Sequence, residues 1–285
     1  MPNIFVFEII KPFQKFMKKS NLTFIGLGLF DERDISLKGL DEIKNCDKVF
    51  AEFYTAKLTG TNIKKIEKII GKSIEILSRD ETEKGDLILD TANQKNVVFL
   101  SAGDPMTATT HVDLRLRAIK KGISTKIIHG SSIVTAVSGV LGLQNYKFGR
   151  TTTLAYPEKN YFPTSPYEVI KNNIKMDLHS LILLDIQEDN KKYMNANEGM
   201  KLLLKMEEKQ NQGIISKKSI ICVVAQAGSE KPVALADTIK NLIKRDFGPP
   251  LHSLVLPGKL HFLEIEALKL LAQLPTQQVL KLQKL

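Results

Sequence analysis

Short apolar runs that end in small residues recur along the chain, and each is followed by a stretch with helical spacing. Leu22–Leu27 reads LTFIGL, a buried strand closing on glycine. Ser36 then stands where an N-cap belongs, and Leu37, Leu40 and Ile43 are placed to share one helix face. The segment Lys48–Thr55 (KVFAEFYT) is the next predicted strand, and Ile63–Ile70 is a lysine-rich amphipathic helix closed by Gly71. Ser73–Leu77 and Val97–Leu100 read as further strands, with an acidic segment from Asp80 to Asp90 between them. A helix over Ala108–Lys121 stops at Gly122, a strand covers Thr125–His129, and another helix covers Ser131–Leu141. This alternation predicts an α/β fold.

The rhythm breaks at Leu143–Thr153 (LQNYKFGRTTT), which has no helical period, and Ala155–Pro166 holds three prolines. A domain junction is expected near Lys147–Thr151. Beyond it the alternation resumes, with strands at Ser180–Ile186, Ser219–Ala227 and Ser253–Pro257. Helices are expected near Tyr167–Met176, Ala196–Gln210, Asp237–Asp246 and Phe262–Leu271. The division that follows is an extension over residues 1–19, a first α/β domain over 20–149, a second over 150–275, and a tail over 276–285. The opening MPNIFVFEII lacks a basic n-region and a small-residue cleavage site, so it does not read as a signal peptide.

Composition narrows the classes. With 285 residues and 43% hydrophobic content the chain can bury a real core, and no apolar run reaches membrane-spanning length. The net charge of +10 suits an acidic partner. The lysines, however, are spread over predicted helix faces (Lys64, Lys65, Lys68; Lys201, Lys205, Lys209) and do not cluster as a nucleic-acid footprint would. Cys46 and Cys222 are far apart with no CxxC, and read as reduced core thiols. The five histidines show no metal-ligand spacing, so no metal site is expected.

The candidate chemistry lies in the turns after three strands. Gly26-Leu27-Gly28-Leu29 is followed by Asp31 and Glu32, acids that would repel the diphosphate of a dinucleotide. No GxxxxGK[ST] is present, which excludes a P-loop. Gly103-Asp104-Pro105 places a single acid in a stiff small-residue turn, suited to a ligand carrying positive charge, a ribose or an amino group. Thr107, Thr109 and Thr110 follow it and can cap a helix or hydrogen-bond a ligand. His129-Gly130-Ser131-Ser132-Ile133 is the third turn; His129 beside Ser131 lacks the nucleophile elbow that nucleophilic catalysis on such a sheet would need. Three small-residue turns at the carboxyl ends of strands point to one pocket.

These turns, within FIGLGLFDERDISLKGLDEIKNCDKVFAEFYT, GDPMTATTHVDLRLRA and HGSSI, resemble the diphthine synthase family. That family belongs to the tetrapyrrole-methylase class of S-adenosylmethionine-dependent methyltransferases. The likeness continues through LQNYKFGRTTT, LHSLILLDI, YMNANEGM, VVAQAGSE and PPLHSLVLPGKLH, from about Leu22 to Leu271. The direct step from LLDIQEDNKK into YMNANEGM resembles the shorter, archaeal-type members.

The resemblance implies two α/β domains with a cofactor cleft between them, usually in a homodimer. It implies S-adenosyl-L-methionine, leaving as S-adenosyl-L-homocysteine, held by Leu29, Asp104, Thr107, Ser132, Ile133, Leu184, Ala227 and His252. Gln226 stands where family members carry an arginine or similar residue. The implied reaction is methylation of the amino group of the aminocarboxypropyl-histidine on translation elongation factor 2, giving diphthine in diphthamide biosynthesis. The implied location is cytoplasmic, with no membrane and no nucleic acid required. No catalytic side chain is nominated, because in-line methyl transfer draws on alignment. The alternatives within the class are enzymes acting on a precorrin-like macrocycle or on ribosomal RNA; outside it stands a non-catalytic binding protein of the same fold.

Overall fold

A computed structural model describes residues 21–54, 56–158 and 162–282 of the chain. The extension expected over residues 1–19, Thr55 and the last three residues of the tail lie outside the described residues. The first sheet holds β1 (Asn21–Gly26), β2 (Lys48–Glu52), β3 (Glu75–Ile76), β4 (Asn96–Ser101) and β5 (Ser124–Ile128). All are parallel, in the order β3-β2-β4-β1-β5. Helices cover both faces, which is why β1 and β4 read as nearly unbroken apolar runs. On one face lie α1 (Leu37–Asn45) and α2 (Ile63–Ile70), which bury Ile43, Ile66 and Ile70. The acidic segment forms α3 (Arg79–Lys84) and α4 (Asp86–Ala92), broken by left-handed Gly85. On the other face, α4 and α5 (His111–Lys120) bury Ile88, Leu89, Leu114 and Ala118.

The helix α6 (Ile133–Leu141) follows β5 but packs on the second sheet, where Val137 and Leu141 join Cys222, Val224 and Val255. That sheet opens with β6 (Thr152–Leu154) and β7 (Ser180–Leu184), connected by α7 (Ser165–Lys175). A small ribbon, β8 (Ile186–Gln187) with β9 (Lys192–Tyr193), leads into α8 (Ala196–Gln210). Then come β10 (Ile220–Ala225), β11 (Val233–Thr238), α9 (Ile239–Leu242), β12 (His252–Leu256), α10 (Phe262–Leu271) and α11 (Thr276–Leu282). The order is β11-β10-β12-β7-β6, and only the β6–β7 pair is parallel. Helix α8 buries Met200, Leu203 and Met206 completely against this sheet, each contributing about 1.5–3 kcal/mol of apolar burial.

Several expectations change. Leu37 is 82% exposed, while Gly39 and Ile43 face the sheet. Two steps of three residues rotate Leu37 by about 120° away from Ile43. The helix expected from Ala108 starts at His111, because Ala108 is left-handed (φ 57°) and the segment before it is folded into a turn. The helix expected over Asp237–Asp246 shrinks to Ile239–Leu242, since residues up to Thr238 pair with β10 as a strand. β6, β9 and β11 were not expected; the tail, too short to assign from sequence, forms α11 through Leu282.

Glu264 ties the connection between the sheets to the second one. Its carboxylate accepts from the N–H groups of Gln144 (2.9 Å) and His261 (2.8 Å), from Lys147 Nζ (2.6 Å) and from His179 Nε2 (2.9 Å). His179 Nδ1 accepts from the Gly258 N–H, which places the ring proton on Nε2. Burial works to raise the Glu264 pKa, but the His261 N–H, Lys147, the Gln144 N–H and His179 outweigh it and hold the value at about 2, against an ordinary 4.5. The associated stability, about 3 kcal/mol, is complete above pH 4.5 and lost as the pH falls toward 2. Burial lowers the His179 pKa as well, so its contribution is likewise lost on acidification through its ordinary 6.5. We expect Glu264→Gln to lower unfolding free energy by about 3 kcal/mol at pH 7, with the gap to wild type narrowing below pH 4.5 in urea titrations. A gap independent of pH would show that the folded protein does not hold Glu264 ionised.

Candidate functional site

The chain leaves β1 onto one face of the first sheet, through α1, and leaves β4 onto the other, through α5. The turns after these neighbouring strands therefore diverge and open a crevice at their carboxyl ends. Three glycines meet at its base. A Cβ on Gly26 would lie 2.5 Å from both Gly103 O and Gly130 N, and one on Gly130 would lie 2.5 Å from Gly103 O. Gly28 and Gly103 exchange backbone hydrogen bonds (2.7 and 3.3 Å), and both have positive φ (82° and 72°). The three small-residue turns are thus small because their backbones touch one another.

Each turn is then fixed by a side chain of its own or of the segment that follows. Asp34 Oδ2 accepts from three consecutive N–H groups, those of Leu29 (3.1 Å), Phe30 (2.7 Å) and Asp31 (3.3 Å). A row of N–H groups of this kind is an anion nest, and here the protein's own carboxylate fills it. Asp31 caps the following 3-10 turn and pairs with Arg33 at 2.6 Å. Of the two acids read as repelling a diphosphate, Asp31 thus shapes the turn, and Asp34 is the residue that occupies the anion position.

Asp104 is buried, and its carboxylate folds the second turn. Oδ1 accepts from the Met106 N–H (2.9 Å) and Thr107 Oγ1 (3.3 Å), and Oδ2 lies 2.7 Å from His129 Nδ1. Thr107 donates both its N–H and its hydroxyl to Asp104, leaving its carbonyl as the remaining polar group. Beneath the turn, His111 Nδ1 donates to Pro105 O at 2.9 Å. Its Nε2 faces Glu52 Oε1 at 3.7 Å, with both side chains buried. Burial lowers the His111 pKa, against the pull of Glu52. Glu52 also accepts from Ser101 Oγ at 2.6 Å, joining the ends of β2 and β4. In the third turn, Ser132 Oγ accepts the Val134 N–H at 3.3 Å as the cap of α6, so this hydroxyl serves the helix.

The second sheet supplies the opposite wall from Leu184 at the end of β7, Ala227 after β10 and His252 at the start of β12. His252 is a neutral ring with both nitrogens in use. Nδ1 accepts from the Ala196 N–H (3.1 Å), which puts the proton on Nε2, facing the carbonyls of Gly248 (3.2 Å) and Pro249 (3.0 Å). Burial lowers its pKa, consistent with that state. Between the walls lies a cavity of about 300 Å³. All eight sequence-nominated residues line it: Leu29, Asp104, Thr107, Ser132, Ile133, Leu184, Ala227 and His252. Gln226, at φ 52°, lines it too.

Sequence reasoning missed several groups. Asp34 was readable as the second acid of a D-x-x-D capping box following the turn. Tyr54, Lys57, Arg79 and Asp185 also line the cavity, and no motif announces them. Burial, with Glu52 nearby, pushes the Tyr54 phenol up to about 12, so it stays protonated.

Comparison with known proteins agrees with this fold. The family profile for Tetrapyrrole (Corrin/Porphyrin) Methylases matches residues 21–243. A diphthine synthase of Methanocaldococcus jannaschii is 52% identical over 255 residues, covering 88% of this chain and 99% of that protein. One of Methanosarcina acetivorans is 53% identical over 259 residues, covering 89% and 97%. A crystal structure of a diphthine synthase superposes with a TM-score of 0.83 at 39% identity, covering 90% of this chain and 98% of the other.

The glycine contact yields a direct test. Gly130→Ala would force its methyl against Gly103 O and the Gly26 backbone, and we expect a loss on the order of 2–3 kcal/mol, read by urea denaturation. Gly122→Ala, where a Cβ meets nothing within 4 Å, is strained only by its φ of 78° and should cost less. Equal losses would show that the close approach carries no special weight.

Proposed function

The chain belongs to the diphthine synthase family within the tetrapyrrole methylases, and we propose that it methylates the amino group of the aminocarboxypropyl-histidine on translation elongation factor 2. It is a methyltransferase of diphthamide biosynthesis. The observation that carries the finer reading is the convergence of eight nominated residues, from Leu29 to His252, on one cavity between two sheets.

The residues fit S-adenosylmethionine. The cavity floor is backbone exposed by glycine, and Asp34 already fills the anion nest that a diphosphate would need. Leu29, Asp104, Thr107, Ser132 and Ile133 would hold it from the first unit, with Leu184, Ala227 and His252 from the second. When bound, it supplies an electrophilic methyl group on a sulfonium. His252, neutral and fully hydrogen-bonded, is no proton acceptor and serves by shape and backbone. What the chain contributes is alignment of the acceptor amine in a largely apolar cleft, an effect worth several kcal/mol. The amine attacks deprotonated, and water can take its proton. Transfer of several methyl groups to one nitrogen, as in the archaeal-type reaction, belongs to the same proposal.

The +10 charge would steer a large acidic substrate to the cleft. We extend the proposal to a homodimer in the cytoplasm, where the elongation factor works. An exposed stripe on α5, formed by Val112, Leu116 and Ile119 (48–50% exposed), offers a face for a second copy.

The test is a methyltransfer assay with S-adenosylmethionine and elongation factor 2 bearing the aminocarboxypropyl-histidine, followed by the mass of the modified peptide. Whole methyl increments, absent when that histidine is replaced, are the expected result. No increment despite intact cofactor binding would redirect the search to macrocycle or RNA acceptors. Asp104→Ala should weaken S-adenosylhomocysteine binding at least tenfold by calorimetry; unchanged affinity would limit Asp104 to shaping its turn.

A further inference from the structure

The charged side chains lining the cavity divide into those tied down by partners within the protein and those that keep a hydrogen-bonding end toward the cavity. Asp104 closes its own turn and pairs with His129. His252 is neutral, with both nitrogens bonded. Lys57 Nζ donates to Tyr193 Oη at 3.2 Å and lies 3.9 Å from Glu188, joining the first unit to the β8–β9 ribbon. Two groups remain, Arg79 from the first unit and Asp185 from the second.

Arg79 uses Nε to bond Glu83 Oε1 at 2.9 Å, four residues on. Its guanidinium carbon stands 5.8 Å from the centre of the Tyr54 ring, whose face holds it over the cavity edge. Among the described residues neither Nη atom makes a further hydrogen bond, so the two-pronged end that matches a carboxylate is available. Asp185 directly follows the cavity residue Leu184. Its Oδ2 accepts from the Tyr156 N–H (3.0 Å) and Gln187 Nε2 (3.2 Å), which fixes the carboxylate, while Oδ1 has no protein donor among the described residues. Glu83 first, with Tyr54 and Asp185 contributing less, holds the Arg79 guanidinium more firmly protonated than usual.

A guanidinium and a carboxylate set on opposite walls are the complement of an α-amino acid group, which presents a carboxylate and an amine on one carbon. We propose that Arg79 and Asp185 read the α-amino acid end of the acceptor arm, Arg79 pairing with its carboxylate and Asp185 accepting a hydrogen bond from its amine. This rests on the acceptor assigned under the proposed function. The pair makes that end a recognition element, and it orients the nitrogen by holding it together with the carboxylate on the same carbon. The cofactor carries the same amino acid chemistry at its methionine end, so the test separates the two sources.

The experiment measures two affinities by calorimetry for wild type, Arg79→Met, Arg79→Lys and Asp185→Asn. One is for S-adenosylhomocysteine; the other is for elongation factor 2, with and without the aminocarboxypropyl arm, on enzyme saturated with S-adenosylhomocysteine. Wild type should prefer the arm-bearing factor at least tenfold. Arg79→Met and Asp185→Asn should lose most of that preference while their S-adenosylhomocysteine affinity stays within twofold, and Arg79→Lys should recover part of it. Preference retained in the variants overturns the proposal. A fall in S-adenosylhomocysteine affinity with preference retained overturns it in favour of the cofactor's own amino acid end. A wild type that binds S-adenosylhomocysteine but ignores the arm sinks the acceptor assignment itself, and this proposal with it. Arg79 is 68% exposed in its side chain, so its variants should fold.

Discussion

The close approach of three backbones at Gly26, Gly103 and Gly130 is the contact on which the rest of the site depends. Any side chain at Gly26 or Gly130 would meet main-chain atoms at 2.5 Å, so the turns could not converge. Convergence brings the ends of β1, β4 and β5 together at the point where the first sheet reverses its winding. It also sends α6 out of the third turn and onto the second sheet, where Val137 and Leu141 are completely buried. One contact among glycines therefore sets both the floor of the cleft and the seam between the two halves.

Elsewhere in the fold, as in the turn after β1, the protein uses carboxylates as internal anions. Asp34 gathers three backbone N–H groups, and Glu207 gathers those of Gln212, Gly213, Ile214 and Ile215 in the same manner. Glu264 does so at the junction. A buried N–H without a partner costs about 1–3 kcal/mol, so each carboxylate stabilises a turn that its local sequence could not hold alone. The site chemistry follows from what these tasks leave over. With the nest after β1 filled from within, the cleft offers a ligand glycine-bared backbone, apolar walls and few charges.

Much of this was readable in advance. Strong periodicity marked Ile63–Ile70, Ala196–Gln210 and Phe262–Leu271, whose observed bounds are the same. The turns were readable because glycine and proline carry conformational meaning wherever they stand. The second sheet's mixed directions were not, since spacing does not tell which way a strand runs, and β11 pairs antiparallel with β10 across the connection 226–232. Arg79 and Asp185 were equally hidden. They lie 106 positions apart (185 − 79) in unrelated segments, and only the packing of one sheet against the other brings them to the same cavity.

The most direct measurement is a crystal structure with S-adenosylhomocysteine. The account predicts the ligand between the two sheets, on the backbone of Gly28–Leu29 and Gly103–Thr107, with Leu184 and Ala227 closing over it and Asp34 still bonded to Leu29 and Phe30. A ligand bound elsewhere, or one that displaces Asp34 from those N–H groups, would contradict it.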